Sequence, residues 1–123
     1  MLPDSQNNRE ISSLPVLNPE QMGVLREEGL VEALTELFKE MAGGTMDAMA
    51  AALESGDLRE LSSKAHLLKG SAVNFGADRL VAVCQEIEQS AISLDKATLE
   101  KLLDAVRAEY QLVSEALDAA QGN

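Results

Sequence analysis

His66 is the only histidine in the 123-residue chain, and the chemistry open to it depends on what its spacing brings alongside. On a helix its neighbours at i−4, i+3, i+4 and i+7 are Ser62, Lys69, Gly70 and Val73, with Arg59 a turn further back. Metal binding fits poorly. There is no second histidine, Ser63 stands where metal-bridging bundles place a Glu three residues before a histidine, and Lys69 would repel a cation. Hydrolytic catalysis also fits poorly, because Cys84 falls on an apolar stripe and no acid nearby in sequence orients the ring as a triad requires. Nucleophilic use of the imidazole on an anionic, phosphoryl-like group fits better: the ring attacks, Lys69 neutralises the oxygens, and Gly70 admits a bulky donor. A surface histidine without a role is the competing reading, and a lysine and a glycine at these two spacings weigh against it.

These side chains need a helix to carry them and a core to hold it. Asp57 followed by Glu60 is a capping box, and a stripe of Leu58, Leu61, Ala65, Leu68 and Ala72 follows, running to a turn at Asn74-Phe75-Gly76. At about 100° per residue His66 lies roughly 130° from the centre of that stripe, so the imidazole faces out. Gly70 in mid-helix costs about 0.5–1 kcal/mol relative to Ala, and its missing side chain clears space beside the ring. Three further long helices surround this one. Leu30 to Glu54 carries Leu30, Leu34, Leu37, Phe38, Met41, Met46, Met49 and Leu53 at helical period. Gly43 and Gly44 interrupt it, which predicts a kink or weak point there, with close backbone packing as the rival explanation. A fourth element begins near Ala77 with Leu80, Val83, Cys84, Ile87 and Ala91, and the last spans about Lys96 to Ala119. Asn18, Pro19 and Gln21 open a short first helix over about 19–28 with the signature of a second capping box. The expected fold is all-α: an antiparallel four-helix bundle with a short additional N-terminal helix, a flexible segment over 1–13 and one domain over 14–120.

Composition narrows the partners. The net charge of −11 argues against nucleic acid and against an anionic membrane surface. The span Asp57–Arg79 departs from the rest, with four cations against three anions, so the histidine lies on a locally non-acidic patch. No apolar run approaches the roughly 20 residues a membrane span needs, a lone Cys84 forms no internal disulfide, and no secretory signal is visible, so a cytoplasmic monomer is expected.

The segment "AHLLKGSAVNFGADRL" resembles the signature of histidine-containing phosphotransfer (HPt) domains, His-x-x-Lys-Gly-Ser followed by a Gly-Ala turn. The resemblance is close over about residues 61 to 88 and extends elsewhere as a helical pattern of matching length. It implies that His66 is a phosphoacceptor modified at Nε2, that Lys69 is the cation beside the phosphoryl group, and that Gly70 is the gap through which a receiver domain's aspartyl phosphate reaches the ring. It makes Gly76 and Ala77 the turn between helices. It also puts Glu88 where several family members carry a Gln that bonds the imidazole, where a carboxylate orients the ring through Nδ1–H and also sits near an incoming phosphoryl charge. Ser62 supports the ring from the preceding turn. Leu67, Val73 and Arg59, with residues of the first two helices, are implied to dock the partner, although Leu67 serves equally well as a plain helix former.

The implied function is that of a stoichiometric carrier in a phosphorelay: it accepts a phosphoryl group from the receiver of a hybrid sensor kinase and passes it to a downstream response regulator. No cofactor is expected on this chain, because the receiver brings the Mg²⁺. The absence of a nucleotide-binding glycine pattern predicts no self-phosphorylation from ATP. The alternative is a helical adaptor that binds receivers without accepting phosphate.

Overall fold

The structure is a computed structural model that describes residue 11 and residues 13–121. The expected flexible segment over 1–13 therefore falls largely outside the described residues. Among the described residues five helices follow one another: α1 (Pro19–Glu27), α2 (Val31–Ser55), α3 (Leu58–Val73), α4 (Asp78–Ser90) and α5 (Lys96–Gln121). The last four pack each against the next, α5 closes the ring against α2, and α1 rests on α2. This is the antiparallel bundle that four amphipathic helices with short connections produce.

The helix ends show why the segments stop where they do. At the close of α2, Gly56 adopts φ +78°, and the Asp57 N–H turns back to the Ala52 carbonyl at 2.9 Å. Asp57 then caps α3, its carboxylate accepting from the Glu60 N–H at 3.1 Å. The reciprocal half of that box does not form, because the Asp57 N–H is already spent on α2, and Glu60 instead faces Lys64 at 3.8 Å. The same happens at α1. Asn18 accepts from the Gln21 N–H at 3.0 Å, but its own N–H is given to the Phe75 carbonyl. The Gln21 amide is thereby free to donate to the Asn74 carbonyl at 3.1 Å, which ties α1 to the end of α3. Asp95 caps α5 through the Thr98 N–H at 2.8 Å.

The core runs the length of the bundle, with Leu61, Ala65, Leu68 and Ala72 of α3 meeting Leu80, Cys84 and Ile87 of α4, all buried. Each such Leu or Ile contributes about 1.5–3 kcal/mol through burial. Phe38 stands between Phe75 (ring centroids 5.3 Å apart, edge-on) and Tyr110 (5.6 Å), so the three aromatics of the chain form one cluster. Two residues of the expected α2 stripe lie outside the core: Leu30 precedes the helix at the surface, and Leu37 is 60% exposed. Adjacent residues on a helix are about 100° apart, and Phe38 takes the inward direction that Leu37 would need. The helix is uninterrupted at Gly43 and Gly44, and a Cβ at either would meet nothing within 4 Å. Close backbone packing therefore does not account for them, and nothing else in the structure does.

Candidate functional site

The stripe of α3 that faces the core leaves one flank turned toward α4, and Ser62, His66 and Lys69 occupy it. Opposite stands Glu88, in the last turn of α4. Ser62 Oγ donates to the Glu88 backbone carbonyl at 2.8 Å. That carbonyl belongs to the last turn of α4, where the helix itself supplies no partner, so the hydroxyl both satisfies it and pins the two helices in register. With the register fixed, the Glu88 carboxylate spans the gap between helices. Its Oε2 lies 2.7 Å from His66 Nδ1 and its Oε1 lies 2.7 Å from Lys69 Nζ.

The ammonium of Lys69 first, and the imidazole bond second, hold the Glu88 carboxyl below the usual carboxylate range, against the opposing effect of partial burial. An ionised carboxylate only accepts hydrogen bonds. His66 Nδ1 must therefore donate, which in the neutral ring fixes the tautomer and leaves the lone pair on Nε2. The imidazole side chain is 67% exposed, against 24% for Glu88 and 23% for Lys69. A largely covered charged pair thus orients an open nucleophile.

Gly70 follows one turn after His66. It is exposed, and a Cβ built there meets nothing within 4 Å. The space it leaves is on the solvent side, beside the ring, so no residue of this chain requires a glycine there. Gly76 is a different case. Its φ is +62°, and a Cβ would come within 2.2 Å of the Asn18 Cβ, so backbone conformation and close approach both call for glycine at the α3–α4 turn. Cys84 is fully buried beneath Glu88, one helical turn back, and its thiol is pushed up to about 12, chiefly by burial and further by the Glu88 charge. A thiol so held is not a nucleophile.

Residues 33–121 match the family described as the Hpt domain. The chain belongs to the Hpt domain family. A phosphorelay intermediate protein of Candida albicans is 32% identical over 78 residues, a match spanning 62% of this Hpt chain and 42% of the length of that relative. Among solved structures, histidine-containing phosphotransfer protein B of Pseudomonas aeruginosa aligns with a TM-score of 0.79 and 26% identity over 88% of this chain and 96% of its own. A histidine-containing phosphotransfer protein from maize aligns with a TM-score of 0.71 and 25% identity over 97% of this chain and 99% of its own.

Of the residues singled out in the sequence of this Hpt domain, the structure brings His66, Lys69, Glu88 and Ser62 into one bonded group, with Gly70 beside it. Gly76 belongs to the turn. Arg59, Leu67 (48% exposed) and Val73 (54%) are separate surface positions on α3. What sequence reasoning misses is that Lys69 is bound to Glu88 rather than standing free, since a pairing across helices between residues nineteen apart leaves no periodic trace. It also leaves exposed Val24 of α1 unnamed and assigns exposed Leu37 of α2 to the core stripe. Val24 shares a surface recess with Val73 and Gly76, and Leu37 shares another with Ser71 and Asn74. No helix among the described residues is long and apolar enough to cross a membrane.

Proposed function

We propose that this Hpt domain is a phosphoryl carrier: His66 Nε2 takes a phosphoryl group from the aspartyl phosphate of one receiver domain and yields it to the aspartate of another. The observation that carries this reading is the bond from His66 Nδ1 to the Glu88 carboxylate, which in the neutral ring puts the proton on Nδ1 and the lone pair on Nε2 of a largely exposed side chain. The Nε2 lone pair forms the new N–P bond as the P–O bond to the donor aspartate breaks, its electrons returning to that carboxylate. Passage to the second receiver is the same exchange in reverse. The chain offers one nucleophile, one cation and an approach over Gly70, so Mg²⁺ and the remaining charge stabilisation come from the receiver. Leu67, Val73 and Arg59 of α3, joined by Val24 and Leu37, are the surface on which a receiver docks, an apolar patch with a basic margin. The carrier is turned over stoichiometrically rather than acting as an enzyme.

The test is to incubate the chain with phosphorylated receivers of the same organism and look for acid-labile, base-stable label. The expected result is label on the wild-type chain and none on His66→Gln with its helical content intact. Label that survives in His66→Gln refutes the site, and its absence from wild type with active receivers refutes the carrier reading.

A further inference from the structure

The cation of this site is already occupied. Lys69 Nζ lies 2.7 Å from one oxygen of the same carboxylate whose other oxygen lies 2.7 Å from His66 Nδ1. With the ring in its neutral, nucleophilic form, Lys69 and Glu88 cancel, so the site offers an incoming phosphate no net charge. The chain as a whole carries −11, although the span Asp57–Arg79 does not share that excess. Arg59 stands seven residues before His66, about 10 Å along the helix axis and thus near the screening length at physiological salt. A small free phosphodonor therefore meets a neutral site on a strongly anionic protein. A donor that carries its own divalent cation does not depend on Lys69 in the same way.

We propose that Glu88 is a specificity-determining positioning residue, which by pairing Lys69 with its own carboxylate makes His66 a poor acceptor for free anionic phosphodonors and reserves it for cation-bearing ones. This rests on His66 Nε2 being the phosphoryl acceptor. With phosphoramidate as the free donor, the Nε2 lone pair forms the N–P bond while the P–N bond breaks and its electron pair leaves with ammonia. The ring then bears one positive charge against Glu88 until the Nδ1 proton passes to water. Replacing Glu88 by Gln has two opposed effects: Lys69 is freed to meet the phosphoryl oxygens, and the carboxylate beside the ring is lost. Phosphoryl transfer passes through a loose transition state, in which the nucleophile has gained little charge while the oxygens carry most of it. The freed ammonium therefore outweighs the lost carboxylate.

The experiment measures labelling of the full chain by phosphoramidate, read by phosphorus NMR, in wild type, Glu88→Gln, Lys69→Gln and the double variant, with thermal melts to confirm folding. Glu88→Gln is expected to label about three- to tenfold faster than wild type at low salt, the gain that one unit charge about 5 Å from an anion provides. That gain shrinks in 0.5 M salt, an arbitrary high-salt condition of about 3–5 Å screening length, and disappears in the double variant. Glu88→Ala carries the same expectation should Glu88→Gln fail to fold. Labelling no faster than wild type in a folded variant overturns the proposal, as does a gain that persists without Lys69. With a phosphorylated, Mg²⁺-loaded receiver as donor the gain is smaller than with phosphoramidate, and an equal gain overturns the discrimination between donors. If receivers transfer nothing to wild type while phosphoramidate still labels His66, the carrier reading fails and the role of Glu88 stands.

Discussion

Replacing Gly70 separates stability from function in opposite directions. Gly70 lies inside α3 with helical backbone angles, since the positive-φ glycines are Gly29, Gly56 and Gly76. A Cβ at Gly70 meets nothing within 4 Å. Gly70→Ala therefore removes backbone freedom from the unfolded chain without a clash, and should stabilise the domain by about 0.5–1 kcal/mol, or roughly 2–6 °C in Tm for a chain of this length. Gly70→Gln gains somewhat less by helix propensity. Its side chain leans toward the helix N-terminus, over the turn that carries His66. Any donor approaching Nε2 must then be displaced, and a displacement near 1 Å costs on the order of a hundredfold in rate. We expect receiver-to-His66 transfer to fall modestly in Gly70→Ala and by at least about tenfold in Gly70→Gln, while both melt above wild type. Single-turnover transfer assays beside thermal melts decide the matter. Wild-type transfer in Gly70→Gln refutes the access argument, and a lower Tm in Gly70→Ala refutes the open geometry.

Three further outcomes follow from the contacts around the ring and the turn. Ser62→Ala removes the hydroxyl that satisfies the Glu88 carbonyl, so urea denaturation should show a loss of about 0.5–1.5 kcal/mol and transfer should slow as the α3–α4 register loosens. Gly76→Ala forces a left-handed Ala, costing about 1–2 kcal/mol from backbone alone, and drives a Cβ into Asn18; a stability equal to wild type by urea denaturation would contradict both. The Glu88 carboxyl is held below its ordinary 4.5 by Lys69 and His66. Its stabilising contribution is therefore full above that pH and lost as pH falls through the depressed value. The stability difference between wild type and Glu88→Ala, followed by denaturation from pH 7 to pH 3, should accordingly shrink on acidification, and a constant difference would sink the assignment.

How far the sequence reaches depends on the range of the interaction. The four long helices, the Asp57 and Asn18 caps and the outward direction of His66 all follow from residues within a turn or two of one another, and the structure has them. Most failures of the reading have a partner outside the element in which they occur. The two capping boxes form only in half because the Asp57 and Asn18 N–H groups are taken by Ala52 and Phe75. Leu37 leaves the stripe because Phe38 is claimed by Phe75 and Tyr110. Within the site, the types and spacing of His66, Lys69 and Gly70 are local and legible. The resemblance supplies Glu88 beside the ring, whereas the bond between Glu88 and Lys69 needs the packing of α3 on α4 to be visible.

Around the ring, the proposed docking surface is made of residues that the fold does not need. Leu68, Ala72 and Ile87 are fully enclosed, and the interior alone explains them. Ser62 and Glu88 are explained by each other and by the ring they hold. Gly70 is explained by neither, since it makes α3 less stable than an alanine would, and no atom of the chain approaches where a side chain would stand. Leu67, Val73 and Leu37 likewise keep large apolar surfaces in water where a polar residue would serve a lone bundle better. The cost borne at these positions is recovered when a partner covers them. On the proposed carrier reading, a receiver brings its reactive group over Gly70 and its apolar surface onto α1, α2 and α3 at once. A small donor can satisfy the first of these conditions but not the second, so the shape of the surface and the charge held by Glu88 select for the same kind of donor.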